Sequence, residues 1–232
     1  MSSKKPIRLK PSDIQSKSQP AKEGLIEPFS AKTQGQKEYV RSMVENDITI
    51  CHGLAGTGKT LCSIGLACQY LMTGRIGKIL VSRSIIGCDN EIGALPGNVD
   101  EKIQPYFYAY LDYVEWFIGK YNTQRFIEEG LIEFTPVELL RGRTYKNTFM
   151  ILDEAQSTTI KQLKLFISRI GDGSKIVLIG DTRQSDIKNS GFHFCIDKLV
   201  DIENVRTVEL GPQDVLRHPI IPKVMRIFDD NY

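Results

Sequence analysis

The segment 53–60, Gly-Leu-Ala-Gly-Thr-Gly-Lys-Thr, has the residue types and the spacing of a phosphate-binding loop. Its three glycines allow the backbone to wrap a phosphate with N–H groups pointing inward. The Lys59 ammonium can reach the β- and γ-phosphates, and the Thr60 hydroxyl can ligate Mg²⁺. An ordinary glycine-rich turn is the alternative. The loop lies between a predicted strand and a predicted helix, which favours binding of a nucleoside triphosphate with Mg²⁺.

Two acids follow an apolar run further along the chain, where Asp153 and Glu154 come directly after residues 148–152. Asp153, at the carboxyl end of a buried strand, can hold the water shell of Mg²⁺. Glu154 can polarise a water toward the γ-phosphate. Strand ends often carry solvated acids, so this pair alone would indicate little. After a phosphate-binding loop it predicts hydrolysis, with Lys59 and the two acids as catalytic residues and Thr60 and Asp153 as metal ligands.

Two glutamines are further candidates. Gln184 closes the segment Gly-Asp-Thr-Arg-Gln after a third apolar run. Ligands of open α/β sheets bind at the carboxyl ends of strands, so Gln184 can sense the γ-phosphate. The alternative is a turn in which Asp181 caps the next segment. Gln36 lies in a polar stretch, where a glutamine is usually solvated. The resemblance described below favours a second role, in which its amide reads the adenine edge.

Strands that alternate with helices must position these groups. Near-continuous apolar runs predict strands at 48–51, 78–82, 131–134, 148–152, 174–179 and 205–210. Helices are predicted at 59–72, 105–120, from Ser157 or Thr158 to about residue 170, and at 223–228. This alternation predicts an α/β fold built on a parallel sheet flanked by helices.

Length and composition set the frame for this fold. The chain has 232 residues and a net charge of +2, which excludes a histone-like polycation and an acidic disordered chain. Residues 1–30 predict a flexible basic tail, and 31–232 a single domain. No apolar run approaches the roughly 18 residues of a membrane span, and no secretory signal pattern opens the chain. Five cysteines without a C-x-x-C pair predict reduced thiols, mostly in the core, in a cytoplasmic setting.

Basic and aromatic residues raise the question of nucleic acid. Arg83 follows the second predicted strand, and Arg141 and Arg143 form a basic cluster with Lys146. Such residues can bind the phosphates of a single strand. The aromatic run at 106–117 can stack bases, although helical spacing more often places aromatics in a core or subunit interface. The histidines lack metal-ligand spacing.

These residues together resemble the PhoH family of P-loop ATPases, related to the first motor domain of superfamily 1 helicases. The resemblance covers about residues 28–228. It rests on short matches at 53–60, 95–97, 101–105, 141–144, 153–156, 169–171, 180–186, 190–191 and 214–218. The chain departs from the family at Arg83-Ser84, where Arg-Pro is usual, and at Ser157, where Asn is commoner.

The resemblance implies a RecA-like fold, ATP as ligand, ATP hydrolysis, and a link to single-stranded RNA or DNA. An ATP-switched oligomeric interaction protein remains the alternative, and a P-loop kinase is a weaker one. The nucleotide-binding residues that it implies are Gln36, Gly53, Ala55, Gly56, Thr57, Gly58, Lys59 and Thr60.

Related helicases close the nucleotide site with arginines from a second motor domain. Only about 46 residues follow Asp186 in the 232-residue chain, too few for such a domain. We therefore expect a neighbouring subunit to supply the arginine, in a homo-oligomer such as a hexameric ring. Arg217 is the first candidate, followed by Arg141 and Arg143. Each of the three can instead pair with a nearby acid.

Overall fold

The computed structural model describes residues 29–85, 104–184 and 190–216. Within these residues the chain forms one sheet of six parallel strands in the order β3-β2-β4-β5-β1-β6. The strands are β1 (Ile48–Gly53), β2 (Lys78–Arg83), β3 (Ile132–Phe134), β4 (Thr148–Asp153), β5 (Lys175–Gly180) and β6 (Val205–Leu210). The predicted parallel α/β sheet is confirmed, and all six strands overlap their predicted positions.

Five α-helices lie among the described residues: α1 (Gln34–Glu45), α2 (Lys59–Met72), α3 (Tyr108–Glu128), α4 (Ile160–Ile167) and α5 (Gly191–Lys198). Only α2 has the bounds that the sequence predicts. A 3₁₀ turn, Gln104–Phe107, occupies the predicted start of α3, which runs on to Glu128 and is interrupted at Gly119 (φ 76°, ψ 153°). The apolar pattern of the sequence does not predict α1 or α5.

The start of α4 corrects the predicted cap. The N-cap is Thr159, whose hydroxyl accepts the Gln162 N–H while the Gln162 side chain accepts the Thr159 N–H. This reciprocal pair satisfies two N–H groups that a helix start leaves without partners. Ser157 lies in a 3₁₀ turn and the Thr158 hydroxyl donates to Ala155, so neither predicted residue caps the helix.

Two apolar layers cover the sheet. Side chains alternate along β4, so Phe149 and Ile151 join one buried cluster and Met150 and Leu152 join the other. The first cluster includes residues of α1, α2 and α3, and the second includes residues of α4 and α5. Buried aromatic and thiol side chains of this core include Phe107, Tyr110, Phe117, Cys51, Cys62, Cys68 and Cys195. The core assignment is confirmed for these residues, whereas Tyr108 and Trp116 of the same aromatic run are exposed.

Several predictions fall outside the described residues: most of the tail at 1–30, the motif positions at 95–97 and 101–102, Cys88, Asp186, Arg217 and the helix at 223–228. None of the described helices combines the length and apolar character needed to cross a membrane.

Candidate functional site

The phosphate-binding loop lies between the end of β1 and the start of α2. Its glycines have positive φ values: 142° at Gly53, 84° at Gly56 and 83° at Gly58. A Cβ on Gly53 would lie 2.1 Å from the Leu210 carbonyl oxygen, and one on Gly58 would lie 2.8 Å from Gln36 Nε2. Both the backbone conformation and the close neighbours therefore require glycine at these two positions.

Lys59 sits in the centre of this loop and is 9% exposed. Its ammonium donates to the carbonyl oxygens of Gly53 (2.7 Å) and Leu54 (2.8 Å). Burial lowers the pKa of Lys59, because a desolvated cation is less stable than a neutral amine. Two neutral carbonyls do not compensate a buried charge as an anion would, so the position suits a phosphate.

Thr60 and Asp153 form an oxygen pair. The Thr60 hydroxyl donates to Asp153 Oδ2 at 2.7 Å, and Asp153 Oδ1 accepts the Glu154 N–H at 2.9 Å. Burial raises the pKa of Asp153, and the negative charge of Glu154 adds to the shift. A cation at this position would relieve both effects. Hydroxyl and carboxylate oxygens suit Mg²⁺, which also keeps water and phosphate ligands.

No group of three or more His, Cys, Asp or Glu side chains within the described ranges could hold a metal ion by itself. Thr60 and Asp153 supply two oxygen ligands, which suits an ion that takes its other ligands from phosphate and water.

Glu154 follows Asp153 at the carboxyl end of β4 and adopts a left-handed backbone, with φ 53°. Its carboxylate oxygen Oε2 accepts a hydrogen bond of 2.5 Å from the Gln156 amide. The Gln184 N–H donates to the Asp181 carbonyl at 3.2 Å, so Gln184 ends a turn that follows β5. Such a turn was the alternative to the sensor role for Gln184.

A cavity of about 320 Å³ joins these elements. Its volume is within the range of small-molecule sites. Its lining includes the predicted residues Gln36, Ala55, Gly56, Gly58, Lys59, Thr60, Asp153, Glu154 and Gln184. Thr57 is a buried residue within the loop, and neither Thr57 nor Gly53 is part of the cavity lining. The lining also includes Leu61, Tyr113, Gly180, Asp181 and Leu216, which the sequence analysis did not assign to the site. The sequence feature that could have indicated Tyr113 as a lining residue is its position in the aromatic run 106–117.

Gln36 contacts the loop through its amide, with Nε2 donating to the Thr57 carbonyl at 2.9 Å and Oε1 accepting the Lys32 N–H at 2.8 Å. The side chain is 2% exposed, so it is not the solvated glutamine of the alternative. In this arrangement it holds the phosphate-binding loop. The adenine-reading role stays a prediction.

The segment after β6 also reaches the loop. The Leu216 N–H donates to the Gly56 carbonyl at 3.2 Å. Asp214 is fully buried, and its carboxylate accepts the Thr33 hydroxyl at 2.5 Å and the Gly211 N–H at 3.0 Å. These contacts bring residues from both ends of the described chain to one wall of the cavity. Arg217, the first candidate for the closing arginine, comes next in the chain and lies outside the described residues.

The three arginines predicted to contact nucleic acid have different surroundings. Arg83 ends β2 beside Asp153 in the strand register, and its guanidinium lies 5.5 Å from the centre of the Tyr106 ring. Arg141 is exposed. Arg143 binds the buried carboxylate of Glu133 with both terminal nitrogens, at 2.5 and 2.9 Å. Arg143 thus makes an ion pair with a nearby acid, which was the alternative to a functional role for this arginine.

The Glu133 network fixes the loop after β3. Glu133 is 2% exposed and also accepts from Lys78 at 2.6 Å. Burial alone would raise the pKa of Glu133, but hydrogen bonds from Arg143 and Lys78 lower it below 4.5. The stabilisation is therefore fully present at neutral pH, begins to fall near the ordinary pKa of a glutamate, and is lost as the pH drops through the lowered pKa of Glu133.

We predict that Arg143→Ala lowers the free energy of unfolding by about 2 kcal/mol at neutral pH. Breaking a fully buried ion pair costs roughly 3–5 kcal/mol. The cost is smaller here because Arg143 is 38% exposed and Lys78 remains. Urea unfolding measures the effect. Arg141→Ala is the matched control from the same loop and should change stability by less than about 0.5 kcal/mol. Equal stabilities of the two variants would contradict the role given to the Glu133 pair.

The fold has a counterpart among solved structures. The large terminase from a thermophilic bacteriophage superposes with a TM-score of 0.51 at 14% identity, covering 86% of this chain and 50% of the terminase chain. This similarity shows the fold. Together with the glycine loop, Lys59 and the acid pair, the parallel sheet gives the chain the RecA-like fold of the P-loop NTPase class.

Sequence comparison identifies the family. The family model described as PhoH-like protein matches residues 28–229. A PhoH-like protein from Bacillus subtilis (strain 168) is 39% identical over 201 residues, covering 85% of this chain and 63% of the relative. One from Synechocystis sp. (strain ATCC 27184 / PCC 6803 / Kazusa) is 36% identical over 202 residues, covering 86% and 62%. The chain belongs to the PhoH-like family, and it spans about three fifths of the length of these relatives.

Proposed function

We propose that the protein hydrolyses ATP with Mg²⁺ and couples hydrolysis to binding or remodelling of single-stranded RNA or DNA. The observation that carries the hydrolysis proposal is one cavity lined by Lys59, the Thr60–Asp153 oxygen pair and Glu154. This set supplies a cation for the phosphates, oxygen ligands for a metal ion, and a carboxylate base beside them.

Each residue has a separate task in this proposal. On binding ATP, the Lys59 ammonium leaves the carbonyls of Gly53 and Leu54 and binds the terminal phosphates. Thr60 and Asp153 would hold Mg²⁺, which supplies charge stabilisation for the transferring phosphoryl group. The Glu154 carboxylate orients a water and accepts its proton as the water attacks the γ-phosphate. Gln184, on the cavity wall, contacts the γ-phosphate and registers its loss.

Nucleic acid is the proposed second ligand because Arg83 lies next to Asp153 at the carboxyl edge of the sheet. A strand bound there would touch the residue beside a metal ligand, which gives a route for coupling. The alternative is an ATP-switched oligomeric interaction protein without processive activity on nucleic acid. Slow hydrolysis that does not respond to nucleic acid would favour that alternative.

We predict that single-stranded RNA or DNA of any sequence stimulates ATP hydrolysis, and that the stimulation weakens as salt rises. Phosphate contacts release counterions, so affinity falls steeply between about 50 and 200 mM salt, with a log–log slope of about 0.7 per contact for a single strand. Two quantities are measured at two salt concentrations. The first is the ATPase rate with and without single strands, and the second is the affinity for a labelled single strand. Arg83→Ala should weaken binding of the single strand. Arg41→Ala, on the exposed face of α1, is the matched control for binding. Lys59→Ala gives the background ATPase rate. Affinity that ignores salt would exclude these charges as the contacts.

A further inference from the structure

Gln156 is a buried residue that lies between the acid pair and the turn after β5. It is 2% exposed and belongs to the 3₁₀ turn Ala155–Ser157. Its Nε2 donates to Glu154 Oε2 at 2.5 Å, and its Oε1 accepts the Asp181 N–H at 3.1 Å. One amide therefore joins a carboxylate that lines the cavity to the end of the neighbouring strand.

The amide has little room to move. A Cβ on Gly180 would lie 2.9 Å from Gln156 Oε1 and 2.5 Å from Phe192, so the glycine leaves just enough space for both side chains. Glu154 has a left-handed backbone, which is outside regular secondary structure. The 2.5 Å bond from Gln156 Nε2 to Glu154 Oε2 is therefore a contact that can set the direction of this carboxylate.

The other end of the amide reaches the turn that carries Gln184. Asp181 accepts the Arg183 N–H with its side chain (3.0 Å) and the Gln184 N–H with its carbonyl (3.2 Å). Asp181 and Gln184 both line the cavity, whereas Gln156 does not. The Asp181 N–H and the Gln156 amide thus connect this turn to the Glu154 carboxylate by two consecutive hydrogen bonds.

We propose that Gln156 is a positioning residue for ATP hydrolysis, which holds the Glu154 carboxylate in place and makes that position depend on the turn 181–184. The inference rests on the proposed hydrolysis and adds a residue that acts through Glu154 without touching the nucleotide. Its effect belongs to the chemical step and not to nucleotide binding.

The first test replaces the amide by an apolar side chain of the same length. Gln156→Met should lower kcat about 10²-fold, the size of effect that a misplacement of about 1 Å can have. Affinity for a fluorescent ATP analogue should stay within about threefold of the parent, because no lining group is removed. Gln162→Met is the matched control, since Gln162 is also a buried glutamine with side-chain bonds, in α4 and away from the cavity. Gln162→Met therefore shows how much of the change in kcat comes from loss of stability alone, because the bond to Glu154 is kept in this variant.

The second test uses pH. Gln156→Glu keeps the acceptor for the Asp181 N–H but places an oxygen against Glu154 Oε2. Two adjacent carboxylates share a proton at low pH and repel each other at high pH. The kcat of this variant relative to the parent should therefore rise as pH is lowered, a trend that neither Gln156→Met nor Gln162→Met should show.

A third readout needs neither nucleotide nor metal. The Asp181 N–H should lose protection from hydrogen exchange in Gln156→Met and keep it in Gln156→Glu and Gln162→Met. A kcat for Gln156→Met equal to that of Gln162→Met, with unchanged exchange at Asp181, would overturn the proposal while leaving ATP hydrolysis intact. A parent protein that does not hydrolyse ATP would instead overturn the proposed function. In that case unchanged exchange at Asp181 in Gln156→Met would still overturn the positioning contact.

Discussion

Glu154→Gln is expected to lower ATP turnover by about 10²–10⁴-fold, the usual contribution of a general base. The amide keeps the shape of the side chain and can still accept the hydrogen bond from Gln156. It cannot take a proton from water. Lys59, Thr60 and Asp153 remain, so the variant should bind ATP with affinity close to that of the parent. Steady-state turnover and titration with a fluorescent ATP analogue measure the two effects separately.

Asp172→Asn is the matched control for Glu154→Gln, because the same change is made at a carboxylate that is 95% exposed and outside the cavity. It should leave turnover within about twofold of the parent, as expected for a surface substitution. Near-normal turnover by Glu154→Gln would refute the role of Glu154 as base.

The second large effect is expected from the closing arginine. An arginine that stabilises the transferring phosphoryl group is worth roughly 10³–10⁵ in rate in well-studied cases. We predict a loss of this size in Arg217→Ala, and partial recovery when that protein is mixed with Glu154→Gln. The second variant lacks the base but carries the arginine, so a mixed oligomer would contain complete sites. Turnover is measured across mixing ratios, and activity per subunit should rise with protein concentration as the oligomer forms.

The control mixture combines Arg217→Ala with the double variant Arg217→Ala, Glu154→Gln, and no recovery is expected there. A full loss in Arg217→Ala without recovery at any ratio would place the arginine in its own subunit. Unchanged turnover in Arg217→Ala would remove Arg217 from the site, and the same mixing would then be made with Arg141→Ala.

The sequence by itself determined the phosphate-binding loop, the helix that follows it, and the acid pair. These features are local. A glycine pattern, an adjacent lysine and hydroxyl, and two acids after an apolar run are fixed by covalent spacing and by the backbone freedom of glycine. The bounds of α2 and the positions of the strands can also be predicted locally, because each segment carries its own pattern of apolar residues.

The helix α1 shows where this reasoning stops. Its buried residues are Gln36, Tyr39, Ser42 and Met43, which share one helix face but include two polar side chains. The apolar signal is therefore too weak to predict a helix. Its cap, the reciprocal pair of Thr33 and Gln36, was the available local signal.

Only the tertiary structure decided which distant residues meet. Parallel pairing of β4 with β5 brings Gln156 to the Asp181 N–H, and pairing of β2 with β4 brings Arg83 beside Asp153. The buried carboxylate of Glu133 forms an ion pair with Arg143, because an unpaired charge in the interior is costly. None of these three contacts can be obtained from spacing along the chain, since strand order and burial arise from packing the whole sheet. Local chemistry thus specified the residues of the candidate site, and strand order specified their neighbours.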